Sequence, residues 1–470
     1  MVLPSKDDLV GSVLSSKRGR VEAAAGCGKT ELIASVVSHP EAQRQLVLTH
    51  THAGVAALRD RMRRKRVDPS RYHLDTIAGW CLRYAGAYPG ISSLAVDPKA
   101  APPWNALYPA AERVISSGLG AQVIEASYAG VLVDEYQDCS TAQHSVIKAL
   151  SEIVPVRIVG DPLQGVFDFD PSTPIVNWSE VEAFYEELPR LSEPYRWLNA
   201  GHEDLGRWIA QAREELQATG SITIDSGCPA KWQRSAQGAD RALCWDHRGR
   251  TSVAAFNRFT YQSTSLAASL SGTYQLVERF DDEELPKLAR ALESGTGPEI
   301  VASMVNFLSK RVTKAATELG TITKAISQGR STSRIRKHRA HCDRLEAIAQ
   351  DPSPQTILCA LDGVLDEEQW KLYRPDAIYQ LRAALRESKS LDDGQIAEAI
   401  QGVRDRVRRR GRHLQRRVLG TALLLKGLEF DTSLVLNATD LSAKELYVAI
   451  SRGTKALFLI SPEPTIRPRR

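Results

Sequence analysis

Long apolar runs are missing from this chain. No stretch approaches the roughly 18 consecutive apolar residues of a membrane-crossing helix, and the first residues lack the apolar core of a secretion signal. A cytoplasmic protein with no membrane partner is therefore expected. Paired cysteines are missing too. The seven cysteines (27, 81, 139, 228, 244, 342 and 359) are odd in number, scattered and never spaced as Cys-x-x-Cys. That argues against a disulfide framework and against a zinc or iron–sulfur site. Nor does one sign of charge dominate: a net +5 over 470 residues is too mild to prove a polyanionic partner.

What is present is the composition of an ordinary globular protein, 43% hydrophobic and 25% charged, in a length that suits roughly two to four domains. Residues 21–200 alternate short apolar strands, at Gln45–Thr49, Val131–Val133 and Val156–Gly160, with helical stretches. Such alternation predicts a parallel sheet covered by helices. Thr251–Phe256 begins a second region of this kind, completed by strand candidates in Val418–Leu436 and Ala456–Ile460. Between them, from about 280 to 410, the chain is helical, basic and poor in strand signals, as a helical insertion would be. Pro98 to Pro109 reads as a loop inside the first domain. The expected fold class is α/β, with two parallel-sheet domains and a helical insertion in the second.

The distribution of charge says more than its total. Arginines 404, 406, 408, 409, 410, 412, 416 and 417 crowd one short segment, and phosphate contact is the expected role of its centre, Arg408, Arg409 and Arg410. A second basic stretch, from Lys310 to Arg344 with Arg334, Arg336, Lys337 and Arg339, fits solvated helix faces equally well.

Three strand ends carry chemistry. Ala23-Ala24-Ala25-Gly26-Cys27-Gly28-Lys29-Thr30 has the spacing of a phosphate-binding loop, with Ala23 where glycine is more usual. Gly26 and Gly28 let backbone N–H groups close on phosphate oxygens at a helix start, Lys29 would reach the β- and γ-phosphates, and Thr30 would ligate magnesium. Val131-Leu132-Val133 then delivers Asp134 and Glu135 to a strand's C-terminal edge, where ligands bind in open α/β sheets. An aspartate there holds magnesium and a glutamate polarises the attacking water, so the pair with the loop predicts NTP hydrolysis. Val159-Gly160-Asp161-Pro162-Leu163-Gln164 offers Gln164 to the γ-phosphate or the water. Arg196, after Pro194-Tyr195, and Arg452, after Ser451, are candidates to neutralise charge on the transferring phosphoryl group. Cys27 and Cys139 sit inside these motifs as small fillers. The Asp168 and Asp170 carboxylates, one residue apart in a loop, read as solvated.

The order of these motifs resembles superfamily 1 DNA helicases of the UvrD/Rep type. The resemblance rests on AAAGCGKT, LVLTHTHAGVAALRDRM (46–62), DTIAGW (75–80), VLVDEYQDCS, VGDPLQGVF (159–167), EPYRW (193–197), KGLEFD (426–431) and ELYVAISRGTKALFL (445–459). It covers residues 21–275 and 418–460 and leaves the insertion unmatched. It implies two RecA-like domains: residues 1–190, with a reduced insertion at about 85–120, and residues 191–280 continued in 411–470, with the helical basic insertion at 281–410. It further implies ATP and Mg²⁺ as cofactors. Ala25, Gly26, Cys27, Gly28, Lys29, Thr30 and Glu31 would form the phosphate loop. Asp134 would hold magnesium and Glu135 would be the base. Tyr195 would stack on the base of the nucleotide, Arg196 and Arg452 would meet the γ-phosphate, and Gly427 and Glu429 the phosphate and ribose. Gln164 would couple nucleotide state to DNA grip. Thr49, His50, Thr76 and Phe169 occupy DNA-contact positions, and the implied motor steps 3′ to 5′ along single-stranded DNA or a tailed duplex.

The departures from that family concern DNA more than ATP. Residues 1–22 contain no Gln to read adenine, Thr49-His50-Thr51-His52 lacks the usual phenylalanine, and Leu423 stands where a DNA-contacting histidine is usual. Two readings follow: a compact ATP-dependent DNA helicase or translocase, and a DNA-sensing ATPase subunit that regulates a partner. The second resembles the helicase-like subunit of Gabija-type antiphage systems, whose partner is an OLD-family nuclease. A nucleotide kinase would need only the phosphate loop and leaves GDPLQ, KGLEFD and YVAISR unexplained.

Overall fold

A computed structural model describes residues 6–94, 104–166, 173–235, 251–270, 272–278, 283–391, 394–410 and 414–469. Phe169, Asp168, Asp170 and Arg412 lie outside the described residues, as do the side chains of Arg408, Arg409 and Arg410. The chain forms two compact units, residues 1–234 with 438–470, and residues 235–437. Each unit contains a parallel sheet, which is the α/β architecture expected from the alternating apolar runs.

In the first unit the strands are β1 (Arg18–Glu22), β2 (Gln45–Thr49), β3 (Tyr72–Thr76), β4 (Gly130–Val133), β5 (Val156–Gly160) and β6 (Glu186–Glu187), ordered β3-β2-β4-β5-β1-β6. All neighbours run parallel. Successive side chains of a strand point to opposite faces, and here both faces are covered. Val47, Leu132 and Val159 belong to one core, with Leu32, Ile33 and Met62 from the helices behind them. Leu46, Leu48, Val131, Val133 and Ile158 belong to another, with Trp80, Val146 and Leu150. Burial on both sides is why these strands are continuous apolar runs rather than alternating ones. Because the strands share one direction, β1, β2, β4 and β5 end at one edge of the sheet. Ala23, His50, Asp134 and Asp161 leave from that edge.

The stretch from Pro98 to Pro109 is not all loop, because a helix spans Trp104–Ile115 with Pro109 inside it. A proline in a helix interior costs about 3 kcal/mol through a lost N–H bond and a steric clash. Leu107, Ala110, Ala111 and Ile115 are fully buried in the core beside Trp80, and burial of each large apolar side chain returns about 1.5–3 kcal/mol. Packing overrides the local breaker.

The first unit also holds β7 (Ile222–Thr223) and β8 (Lys231–Gln233). The second unit holds β9 (Val253–Phe256), β10 (Gln275–Leu276), β11 (Arg417–Gly420) and β12 (Phe430–Val435), in parallel order β10-β11-β9-β12. With β13 (Gly453–Ile460) and β14 (Thr465–Ile466) the chain returns to the first unit, where β13 pairs parallel with β8 and β14 antiparallel with β7.

Seven helices fill 284–410 among the described residues, from Glu284–Ser294 to Gln395–Arg410. They enclose a core of their own that includes Leu285, Met304, Leu319, Leu361 and Leu381. A buried ionic clamp sits at the root of these helices. Arg311, fully buried, meets Glu284 at 2.7 Å, and Arg374 meets Glu278, just beyond β10, at 2.8 Å. Burial works against ionisation of Glu284, but Lys310, Arg311 and Arg374 together overcome it and hold the carboxyl down at about 2. Arg404 of the arginine-rich segment is buried beside Gln380, and Arg406 pairs with Glu387. The segment is thus partly structural. No helix among the described residues is long and apolar enough to cross a membrane.

Candidate nucleotide-binding site

The phosphate loop bridges β1 and the helix Lys29–Ser38. Gly26 and Gly28 adopt φ of 75° and 92°, the left-handed region that glycine enters without penalty. Gly26 is required on a second count, since a Cβ there would stand 2.7 Å from the Trp197 ring. Trp197 is held in turn by its Nε1–H, which donates to the Gly453 carbonyl at 2.8 Å. Next to it, the Arg196 backbone N–H donates to the Gly26 carbonyl at 3.1 Å. Tyr195 remains 45% exposed, and a Cβ on Gly28 would lie 3.5 Å from its Cδ2. An exposed aromatic ring beside the helix start is suitably placed to stack on a nucleotide base. Burial pushes the Cys27 thiol up to about 12, so it stays protonated and inert, as a filler would. Glu31 lies in ion pairs 2.7 Å from Lys65 and 3.1 Å from Arg61.

Asp134 and Glu135 follow β4 directly. Lys29 Nζ lies 3.4 Å from Glu135 Oε1, so the loop cation and the candidate base meet in the described state. Glu135 has φ 54° and ψ 44°. A non-glycine residue there costs on the order of 1–3 kcal/mol, the kind of strain found where a side chain must be aimed. Its carboxylate also accepts from Gln137 Nε2 at 2.5 Å, while Gln137 Oε1 accepts from the Asp161 N–H at 2.9 Å. Gln137 thereby ties the base to the end of β5. Burial, then the neighbouring Glu135, pushes Asp134 up to about 7 against the pull of Lys29. A buried carboxylate with a close like charge wants a cation, and with the Thr30 hydroxyl it offers the hard oxygen donors that Mg²⁺ prefers.

The third strand end completes the cluster. Gln164 is buried; its Nε2 donates to Asp161 Oδ2 at 2.9 Å, and its Oε1 accepts from Arg452 Nη2 at 3.4 Å. Arg452 is buried and braced by Ser451 Oγ at 2.7 Å and the Val448 carbonyl at 3.1 Å. Arg196 Nη1 donates to the Ser451 carbonyl at 2.7 Å. The structure therefore gathers Lys29, Glu135, Gln164, Arg196 and Arg452 around one loop. Gly427, at φ 79°, and Glu429 belong to the second unit, between the short helix Ala422–Leu425 and β12.

Three participants escaped the sequence reading. Tyr447, fully buried, accepts a hydrogen bond from the Ala25 N–H at 3.0 Å. Asp161, with no exposed surface, is held by Arg213 at 3.0 Å, an arginine of the helix Glu203–Ala218. Burial alone would push Arg213 down, but Asp161, together with Tyr447 and Glu22, more than offsets it, and its pKa is raised. Tyr447 lies in the quoted YVAISR segment, where a hydroxyl framed by apolar residues is the only signal that could have pointed to it. Arg213 left no local signal.

The residues expected to touch nucleic acid are placed as follows. Thr49 is buried at the end of β2, with its hydroxyl 2.7 Å from where a Cβ on Gly54 would be. His50 Nε2 meets Cys139 Sγ at 3.3 Å. Thr76 caps the helix Ile77–Ala87 by accepting from the Gly79 N–H at 3.0 Å.

Residues 7–170 match the family model described as an AAA domain. The match takes in the phosphate loop, the Asp134–Glu135 strand and the Gln164 turn. Among solved structures the chain is similar to Pif1 from a Bacteroides species in complex with ADP-AlF4, at 11% identity and a TM-score of 0.34 over 58% of each chain. It is similar to the Pif1 helicase from Candida albicans at 12% identity and a TM-score of 0.32, over 58% of this chain and 55% of that one. For the arterivirus nonstructural protein 10 helicase in complex with DNA the values are 14% and 0.28, over 53% and 49%. The chain spans about half the length of these structures, and TM-scores this low do not establish a common fold. No curated protein matches the chain.

Proposed function

We propose that the chain is an ATP-driven DNA motor of the superfamily 1 helicase kind, of UvrD type. The observation that carries the reading is the convergence of Lys29, Glu135, Gln164, Arg196 and Arg452 on one phosphate loop. Lys29 and the loop amides bind the triphosphate, Thr30 and Asp134 hold Mg²⁺, and Tyr195 stacks on the base. Bound there, the ion would supply neutralisation of the phosphate charge. Glu135 takes the proton of the attacking water, and Arg196 and Arg452 stabilise charge on the transferred group. Gln164, bonded to Arg452, senses whether that group is present and passes the state on to DNA. The proposed direction is 3′ to 5′ on single-stranded DNA.

ATP turnover with and without single-stranded DNA tests this, with Lys29→Ala as the blank. Strong stimulation by DNA and unwinding of 3′-tailed duplexes are expected. Turnover indifferent to DNA sinks the motor reading. Unwinding of 5′-tailed duplexes alone sinks the UvrD type while sparing the motor. If phosphate contact by the arginine-rich segment is right, neutralising Arg408, Arg409 and Arg410 together should lower the salt slope of DNA binding by about 2, since each lost contact to a single strand removes about 0.7. An unchanged slope assigns those arginines to solvent.

A second reading is favoured by Leu423, which replaces a DNA-contact histidine of the resembled family, and by the engagement of Thr76 as a helix cap. Under it, the same ATPase is a DNA-sensing cytoplasmic subunit that controls an OLD-family nuclease in antiphage defence, with little unwinding. Co-purification of such a nuclease, with cleavage that depends on Lys29, separates the two.

A further inference from the structure

We propose that His338, His341 and Glu367 form a binding site for a divalent first-row transition ion, zinc foremost, which fastens two segments of the helical unit together. Each residue offers one donor atom, and the three donors lie within 4.8 Å of one another. In a tetrahedral site with bonds of 2.0–2.1 Å, adjacent donors stand about 3.3 Å apart. His341 Nε2 and Glu367 Oε1 are already 3.0 Å apart, so small side-chain rotations complete the set. Glu318 Oε2, 3.1 Å from His338 Nε2 and also bonded to Lys337, lies beside His338 but outside the group, so water would complete the coordination.

The donors arrive from separate elements. His338 precedes the helix Arg339–Gln350 and His341 lies in its first turn, three residues on, so both imidazoles come to one side. Glu367 follows the helix Pro354–Leu365, and Glu318, outside the group, belongs to Ala315–Ser327. Trp370 fixes both rings: it stacks on His341 at 5.0 Å and 19°, and meets His338 edge-on at 5.4 Å. His338 sits at φ 56°, in the left-handed region, which histidine enters more readily than most non-glycine residues. His341 is 2% exposed, and burial pushes its pKa down, which favours the neutral ring that binds metals. A plain His341–Glu367 hydrogen bond accounts for one imidazole. It does not account for His338, which bonds Glu318 at 3.1 Å and still brings a donor within 4.8 Å of those of His341 and Glu367.

Two imidazoles with carboxylate suit zinc, cobalt or nickel and not Mg²⁺ or Ca²⁺, which take oxygen ligands. The scarcity of cysteine pairs rules out thiolate sites only. The full chain, freed of metal with a chelator, is titrated with Co²⁺ and then Zn²⁺, beside Glu367→Gln, His338→Gln and Asp134→Asn. The last keeps metal at the nucleotide site out of the count. We expect one equivalent of tetrahedral Co²⁺, displaced by Zn²⁺, in the wild type and in Asp134→Asn, with a rise in Tm. In Glu367→Gln and His338→Gln, affinity should fall at least about ten-fold. Glu367→Gln retains a hydrogen-bonding group for His341, so unchanged ATP turnover and circular dichroism would show that it folds. No Co²⁺ band in the wild type, or equal binding by wild type and both ligand variants, overturns the proposal.

Discussion

Glu135→Gln is expected to slow ATP hydrolysis by about 10²–10⁴-fold, the usual contribution of a positioned general base, while leaving ATP affinity within a few-fold. The amide keeps the shape of the side chain and its bond to Gln137, but it cannot accept the proton of water. Glu135 is also the partner of Lys29 at 3.4 Å in the described state. Loss of its charge frees Lys29 for phosphate, so ATP binding should tighten slightly rather than weaken. Lys29→Ala acts oppositely, by losing affinity. A fluorescent ATP analogue measures binding, and single-turnover hydrolysis measures chemistry. Turnover near the wild-type rate in Glu135→Gln would remove Glu135 from the role of base, because no binding effect can mask a lost chemical step when the enzyme is saturated.

What the sequence could disclose of this site follows from where its parts lie along the chain. The phosphate loop, the Val131–Val133 strand with its two carboxylates, and the turn at Gln164 are each short segments whose chemistry and geometry are encoded together. The two parallel sheets were legible for the same reason, since burial on both faces demands continuous apolar runs. Contacts between distant segments leave no such mark. Tyr447 reaches Ala25 across 422 residues, and Arg213 reaches Asp161 across 52. An arginine on an amphipathic helix looks the same in sequence whether solvent or a buried carboxylate receives it. Pro109 misled in the other direction. A local rule for helix breaking was outweighed by the burial of Leu107 and Ile115, which only tertiary packing supplies.

Arg213 is where that hidden contact should have its largest effect. Arg213→Met is expected to destabilise the first unit by about 3–5 kcal/mol, the usual cost of removing one partner of a buried ion pair. Asp161 has no exposed surface and, among the described residues, keeps only the Leu163 N–H, at 3.3 Å, and Gln164 Nε2, at 2.9 Å, once the guanidinium is gone. Neither neutralises its charge, and Glu22, which also lies 3.8 Å from Arg213, loses a cation at the same time. Asp161→Asn combined with Arg213→Met removes both charges and should recover part of the loss, since an apolar or neutral replacement of a whole buried pair is often near neutral. Chemical denaturation followed through buried Trp197 measures both variants. A loss below about 1 kcal/mol for Arg213→Met, the range of an exposed pair, would show that water reaches Asp161. The pair also bears on function, because Asp161 positions Gln164, and Gln164 meets Arg452. The double variant therefore separates two roles. If it regains stability without regaining ATP turnover, the Arg213–Asp161 pair aligns Gln164 as well as holding the fold; if both return together, the pair serves the fold alone.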